Sequence, residues 1–349
     1  MGIQPMGVGV SFALAAGLMW GLVFIAPLLL PEYPAPLLAF GRYVAFGLIA
    51  LPLAWLDRKR LGQLTRADWV EALKLGAVGN IVYYLCLASA IQRAGGPLPT
   101  MIIGTLPVVI AISSNLRDHQ RDGRLPWLRL LPSLALIGVG IGLVNQVEIA
   151  QLRGDAHADL GRYASGALFA VGALACWTWY PLRNADWLRE NVGTLGAARR
   201  RSESEPALGA ARRDRADRSP GTWATAQGIA TLPLALLGYL GWWGWSAASG
   251  AGFDMPFGPR PAAFVALMFA VGLFASWLGT LCWNQASQRL PTTLVGQLIV
   301  FETLAALAYA FLLRGAMPAP ATLAGIALLV AGVLWALRVR PEPAVVHGA

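Results

Sequence analysis

The chain has 349 residues, of which 56% are hydrophobic and only 13% charged, with a formal net charge of +9 and a mean hydropathy of +0.56. Soluble domains carry about a quarter charged residues, so this balance excludes an ordinary water-soluble fold. Apolar runs of about 20 residues recur along the chain, whereas a membrane β-barrel would show alternating segments of about ten, so an all-α integral membrane protein is expected.

Ten apolar runs predict ten transmembrane helices, at 7–29, 34–56, 69–92, 97–116, 129–146, 161–182, 222–245, 262–285, 291–313 and 318–338. The first lacks the basic stretch that marks a secretory signal and is read as a retained helix. Lys and Arg set the orientation. With the N-terminus inside, twenty of them fall on the cytoplasmic side, while Arg93, Arg153, Arg162, Arg260 and Arg314 make five on the other. Both termini are therefore expected in the cytoplasm of a multi-pass inner (cytoplasmic) membrane protein. The basic balance is thereby read as topology, with no nucleic-acid partner. Nine arginines lie between 183 and 218, the one clear break in composition. Residues 190–220 are too poor in large apolar groups for a core and read as a disordered cytoplasmic loop insertion.

Cys86, Cys176 and Cys282 each sit in a different apolar run and read as small buried hydrophobes. His119, His157 and His347 all lie outside the runs, so no metal is expected. No Walker phosphate loop, G-x-S-x-G elbow or H-E-x-x-H occurs. No cofactor and no enzymatic activity are expected, and the oligomer is a monomer or homodimer.

The chain repeats itself. AVGNIVYYL (77–85) matches AVGLFASWL (270–278), ASAIQR (88–93) matches NQASQR (284–289), and LALIGVGI (134–141) matches IALLVAGV (326–333), in order and at near-equal offsets. Two five-helix halves follow, 7–146 and 161–338. An odd number of spans turns the second half upside down, which is the inverted repeat of many secondary transporters, with the site at midplane between the halves.

LMWGLVFIAP (18–27), LAFGRYVAFGLIA (38–50), YYLCLASAIQRAGGPLPTMIIGTLPVVIAI (83–112), WLGTLCWNQASQRLPTTLVGQLIVFETLAAL (277–307) and TLAGIALLVAGVLWAL (322–337) carry a resemblance. In their order they resemble a ten-helix permease of the EamA type, in the drug/metabolite transporter superfamily. That resemblance implies an exporter or importer of small metabolites working by alternating access, with export favoured. The chain departs from the family pattern at NLRDH (115–119) and LLRGA (312–316), where a Gly-Glu pair is usual. Thr303 stands where the ninth helix usually has proline, while Pro107 keeps the fourth-helix counterpart.

Glu302 stands about eleven residues into the ninth run, roughly 16 Å deep. A charge there costs at least about 2.5–3.5 kcal/mol, so it should face the bundle or a cavity. Three roles are open to it: a proton-coupling carboxylate, a substrate-binding carboxylate, or a structural acid. Arg42, about eight residues into the second run, either snorkels, pairs with an acid such as Glu302, or meets an anionic substrate group. Asn80 and Tyr84, four apart, are expected on one helix face. With Trp20, Trp177, Trp179, Tyr180 and Trp277 they would line a central cavity suited to flat or cationic solutes, or simply fill the bundle. Gln297 offers a polar contact. The substrate-binding set is therefore Trp20, Arg42, Asn80, Tyr84, Trp177, Tyr180, Trp277, Gln297 and Glu302, with small-molecule substrate and membrane lipid as partners. The rival reading is an intramembrane enzyme or lipid-handling protein using Glu302 as acid/base. A passive channel lacks any ring of like charges.

Overall fold

The structure is a computed structural model that describes residues 6–95, 97–116, 126–153, 160–202, 219–250, 252–290, 292–315, 319–336 and 338–339. Among these residues the chain consists of helices and the turns and loops that join them. The segments are α1 Met6–Leu29, α2 Ala35–Leu56, α3 Arg66–Ala94, α4 Pro97–Gly104 with Leu106–Leu116, and α5 Trp127–Arg153. They continue as α6 Leu160–Ser202, α7 Pro220–Ser249, α8 Pro261–Arg289, α9 Thr292–Leu298 with Val300–Arg314, and α10 Pro320–Ala336. Six of the helices are long and apolar enough to cross a membrane, and three shorter apolar ones accompany them. The chain is a multi-pass helical membrane protein.

Several expected boundaries shift. α6 does not stop at 182 but runs on to Ser202, and Leu182, Ala185 and Leu188 keep a buried face going for about two turns past the apolar run. The expected loop at 190–220 is thus helical to Ser202, and residues 203–218 lie outside those described.

Three helices are broken, and the breaks have local causes. In α1 a tight turn at Leu22–Phe24 precedes Ala26–Leu29. Pro27 lacks an N–H and its ring crowds the carbonyl four residues back, so the carbonyl of Val23 loses its helical partner. Tyr84 fills the gap, its hydroxyl donating to that oxygen at 3.1 Å. In α4 the break at Thr105 precedes Pro107 for the same reason. α9 breaks at Ile299 although Thr303 stands in place of proline, and there the Glu302 amide donates to the Ile299 carbonyl. α3 and α8 each widen into a π-helical stretch, at Leu75–Val82 and Gly272–Leu278.

Helices pack against partners from the other half of the chain. α5 lies along α10, α2 along α7, α3 along α6, α1 against α8 and α9, and α4 against α9. Side chains fix the directions. A Cβ on Gly140 would press on the Gly325 carbonyl, while one on Gly332 would press on the Ser133 carbonyl, so α5 and α10 run antiparallel. The Ser133 hydroxyl donates to the Gly332 carbonyl at 2.9 Å across the same seam. Gly47 meets Leu232 and Gly228 meets Ala50, which makes α2 and α7 antiparallel as well. Small residues at such seams let the backbones approach and gain dispersion contact where lipid offers no hydrophobic drive.

Candidate functional site

Glu302 is 1% exposed, at the place where α1, α3, α6 and α9 meet. Its Oε2 accepts from the Trp177 indole N–H at 3.0 Å, and its Oε1 accepts from the Tyr83 hydroxyl at 3.4 Å. α1 is held against this carboxylate's backbone by Gly17 and Gly21, where any Cβ would press on Glu302 and Ala305. The Tyr309 hydroxyl, donating to the Leu18 carbonyl at 2.9 Å, ties the same two helices.

Rings surround the carboxylate. Tyr83 stacks on Trp177 with centroids 4.4 Å apart, and Trp177 stacks on Tyr180 at 5.2 Å. Trp20 meets Trp177 edge-on at 4.8 Å and Trp283 at 4.9 Å. Tyr180 is anchored by its hydroxyl donating to Gln227 Oε1 at 2.9 Å. It fits only because position 79 is glycine, where a methyl would run into its ring. Such pairs add about 0.5–1.5 kcal/mol each beyond area burial, so the cluster is a rigid wall.

Arg42 is 4% exposed and does not pair with Glu302. Its Nε donates to Ser276 Oγ at 3.0 Å, its guanidinium lies 4.5 Å from the Tyr84 ring centre and 4.8 Å from that of Tyr43, and its Nη1 has no partner. The side chain is held inward by α8, which rules out snorkelling.

Trp20, Trp177, Tyr180 and Glu302 thus come together, with Arg42 and Tyr84 beside them. The shared face expected for Asn80 and Tyr84 is not seen. The Asn80 amide approaches Thr231 of α7 at 3.5 Å, while Tyr84 reaches α1. Asn80 lies inside the π-helical stretch, whose wider turn spoils a count based on 3.6 residues. Trp277 is apart from the cluster, its indole N–H donating to Thr225 at 3.1 Å. Trp179 is 36% exposed and lines a lateral groove of about 540 Å³ with Val109, Val171 and Leu174, so it does not face the centre. Gln297 is 1% exposed and neither amide atom has a partner.

Polar residues outside the expected substrate-binding set close one end of the bundle. Glu71 is 2% exposed and accepts from Arg183 Nε at 2.5 Å and Nη2 at 3.0 Å. Asp68 accepts from Trp187, and Asn184 bonds Asn284, Trp223 and Gln227. Together these lock α3, α6, α7 and α8. At the opposite end a cavity of about 1000 Å³ is lined by Gln92, Arg93, Arg162, Phe169 and Trp242.

The class these features define is a polytopic helical membrane protein with opposite charges buried at the junction of its helices. Residues 7–145 match the EamA-like transporter family. The inner membrane protein YtfF of Escherichia coli (strain K12) is 53% identical over 334 residues, covering 96% of each chain. The chain belongs to the EamA-like transporter family. A solved crystal structure with 16% identity superposes with a TM-score of 0.64 over 94% of this chain and 96% of its own, a likeness of fold alone.

Proposed function

We propose that the protein is a secondary carrier of small organic metabolites such as amino acids across the inner membrane, with both termini in the cytoplasm. Two inverted five-helix halves, 7–146 and 161–338, would rock about a site at their junction. The antiparallel seams of α5 with α10 and α2 with α7 support that reading. So do the paired π-helical stretches in α3 and α8 and the paired breaks at Thr105 and Ile299. Export is the favoured direction, by analogy with the family.

The observation that carries the proposal is the Glu302 carboxylate, sealed from solvent and held by one donor from each half, Tyr83 of α3 and Trp177 of α6. A group so placed changes partners when the halves move, which is what couples a bound solute or proton to the motion. In this conformation the Glu71–Arg183 lock closes the end assigned to the cytoplasm, and the cavity with Arg93 and Arg162 lies at the other. Coupling to protons at Glu302 is the finer part of the proposal.

Purified protein reconstituted into liposomes and loaded with a mixture of the twenty standard amino acids tests it. Saturable exchange of labelled solute across the membrane is expected. Flux that rises linearly with concentration, or chemical turnover without translocation, contradicts it.

A further inference from the structure

The cavity of about 1000 Å³ at the end opposite the Glu71–Arg183 lock lies between α2, α3, α6 and α7. None of its described lining residues comes from α1 or α9, the helices that carry Trp20 and Glu302. Two helix ends are laced crosswise at its wall. Arg93 of α3 reaches over to α6, its Nη1 donating to Ser165 Oγ at 3.2 Å. Arg162 of α6 reaches back to α3, its Nη2 donating to the Gln92 carbonyl at 2.8 Å. The ends come this close because position 166 is glycine, where a Cβ would press on Ala94. Gln92 also ties α3 to the start of α2, its Oε1 accepting from the Ala35 N–H at 3.0 Å and its Nε2 donating to the Tyr33 carbonyl at 2.6 Å.

The lacing brings two guanidiniums to one cavity, and like charges so placed repel unless an anion meets them. No acidic residue is among the described residues that line the cavity. Arg93 forms no ion pair among the described residues; its partners are the Ser165 hydroxyl and the Phe169 ring. A guanidinium carries five N–H donors and no acceptor, so the bond to Ser165 leaves most of the fork to spare. Trp242 of α7, also in the lining, adds an indole N–H that has no hydrogen-bond partner. Donors gathered without a carboxylate suit an oxyanion, and the planar fork of arginine matches phosphate in particular.

Depth in the membrane names the source of that phosphate. Ala35 opens α2, Ala94 closes α3 and Leu160 opens α6, so Arg93 and Arg162 stand at helix ends, at the level of lipid headgroups. Trp242 and Trp245, with ring centroids 4.6 Å apart, stand at the same end of α7, as interfacial tryptophans do. Leu85 and Phe169, farther along their helices, give the cavity an apolar floor, and Leu168 beside them is 74% exposed. A free phosphate makes no use of such a floor, whereas an acyl chain does. We propose that the cavity holds an anionic phospholipid, its phosphate between Arg93 and Arg162 and an acyl chain along Leu85 and Phe169. A zwitterionic headgroup fits worse, because no carboxylate in the described lining meets its ammonium. A lipid bound there braces α3 against α6, whether or not the protein is a carrier.

The test is titration of the full-length protein in neutral detergent with phosphatidylglycerol, phosphatidylethanolamine or inorganic phosphate, read by melting temperature and by native mass spectrometry. Phosphatidylglycerol should raise the melting temperature and stay bound as an adduct. Phosphatidylethanolamine should bind at least about fivefold more weakly, and inorganic phosphate should have no effect. Arg93→Gln and Arg162→Gln should each weaken phosphatidylglycerol binding about fivefold, the contribution of one basic residue at an anionic lipid surface, and the double variant more. Arg289→Gln, which removes a charge from the other end of the bundle, should bind as wild type does. Ser89→Phe, which fills the cavity and keeps both arginines, should lose the preference, which separates a cavity from a merely basic surface. Lipid-free melting shows that each variant is folded, and the comparison of the three ligands on wild type stands without the variants. Equal binding of the two lipids, or full binding in the double arginine variant, overturns the proposal. A shift with inorganic phosphate equal to that with phosphatidylglycerol assigns the cavity to a free anion and overturns the lipid.

Discussion

Trp177 donates its indole N–H to Glu302 Oε2 at 3.0 Å while its ring is stacked between Tyr83 and Tyr180. One residue thus supplies both the hydrogen bond and the wall of the site. Trp177→Phe keeps an aromatic ring and removes the donor. A hydrogen bond to a charged group contributes about 1.5–3 kcal/mol, so the variant should melt measurably lower and transport at least tenfold more slowly. Wild-type melting and wild-type flux would show that the bond matters to neither.

Glu302→Gln keeps the shape and the acceptor oxygen but cannot gain or lose a proton. If the carboxylate couples protons, the variant loses accumulation driven by a pH gradient and retains exchange of solute without one. Gradient-driven accumulation that survives the substitution removes Glu302 from the coupling.

If the proposed carrier opens at this end of the bundle, the Glu71–Arg183 pair is one of the bonds that must break. Removing one partner of a buried pair costs about 3–5 kcal/mol, reduced here because the Arg183 side chain is 35% exposed. Glu71→Gln or Arg183→Gln should lower stability by about 1–3 kcal/mol, and the double variant little more than either alone. Additive losses would mean that the two side chains act separately.

At the other end Arg260 binds Glu32, the Tyr33 hydroxyl and the Leu29 carbonyl, joining the loop after α1 to the loop before α8. The Arg260 guanidinium beside Glu32 holds its carboxyl below the ordinary value of 4.5. A depressed folded-state value means that the pair's contribution is fully present above 4.5 and fades as the pH falls through the lower one. Both side chains are exposed, so water screens the pair and the effect is small. Melting of Arg260→Gln should differ slightly from wild type at pH 7, and the difference should fade as the pH falls below 4.5. A difference that persists unchanged once Glu32 is protonated would assign the loss instead to the bond that the Arg260 guanidinium donates to the Leu29 carbonyl.

The helices and the carboxylate were legible because both follow from hydropathy. An apolar run must be helical in lipid, and one acid in its middle must face inward. Trp20, Trp177 and Tyr180 were legible for a similar reason, as they stand deep in their runs rather than near the ends. Other features were hidden. The π-helical stretch around Asn80 leaves no mark in a period of 3.6, so its shared face with Tyr84 was misplaced. Glu71 and Arg183 sit at run ends, where charge looks solvated, and only the antiparallel packing of α3 on α6 brings them together. The break at Ile299 has no proline beneath it. Tyr83 and Tyr84 are adjacent, and which of them meets Glu302 is decided by packing alone.

The central claim is that the junction of the two halves is a carrier site built on Glu302 and Trp177. Counterflow measures it most directly: liposomes preloaded with the mixed amino acids are diluted into a trace of labelled solute. The account predicts transient uptake above equilibrium in wild type and its loss in Trp177→Phe. Simple equilibration at the same rate in both proteins would contradict it.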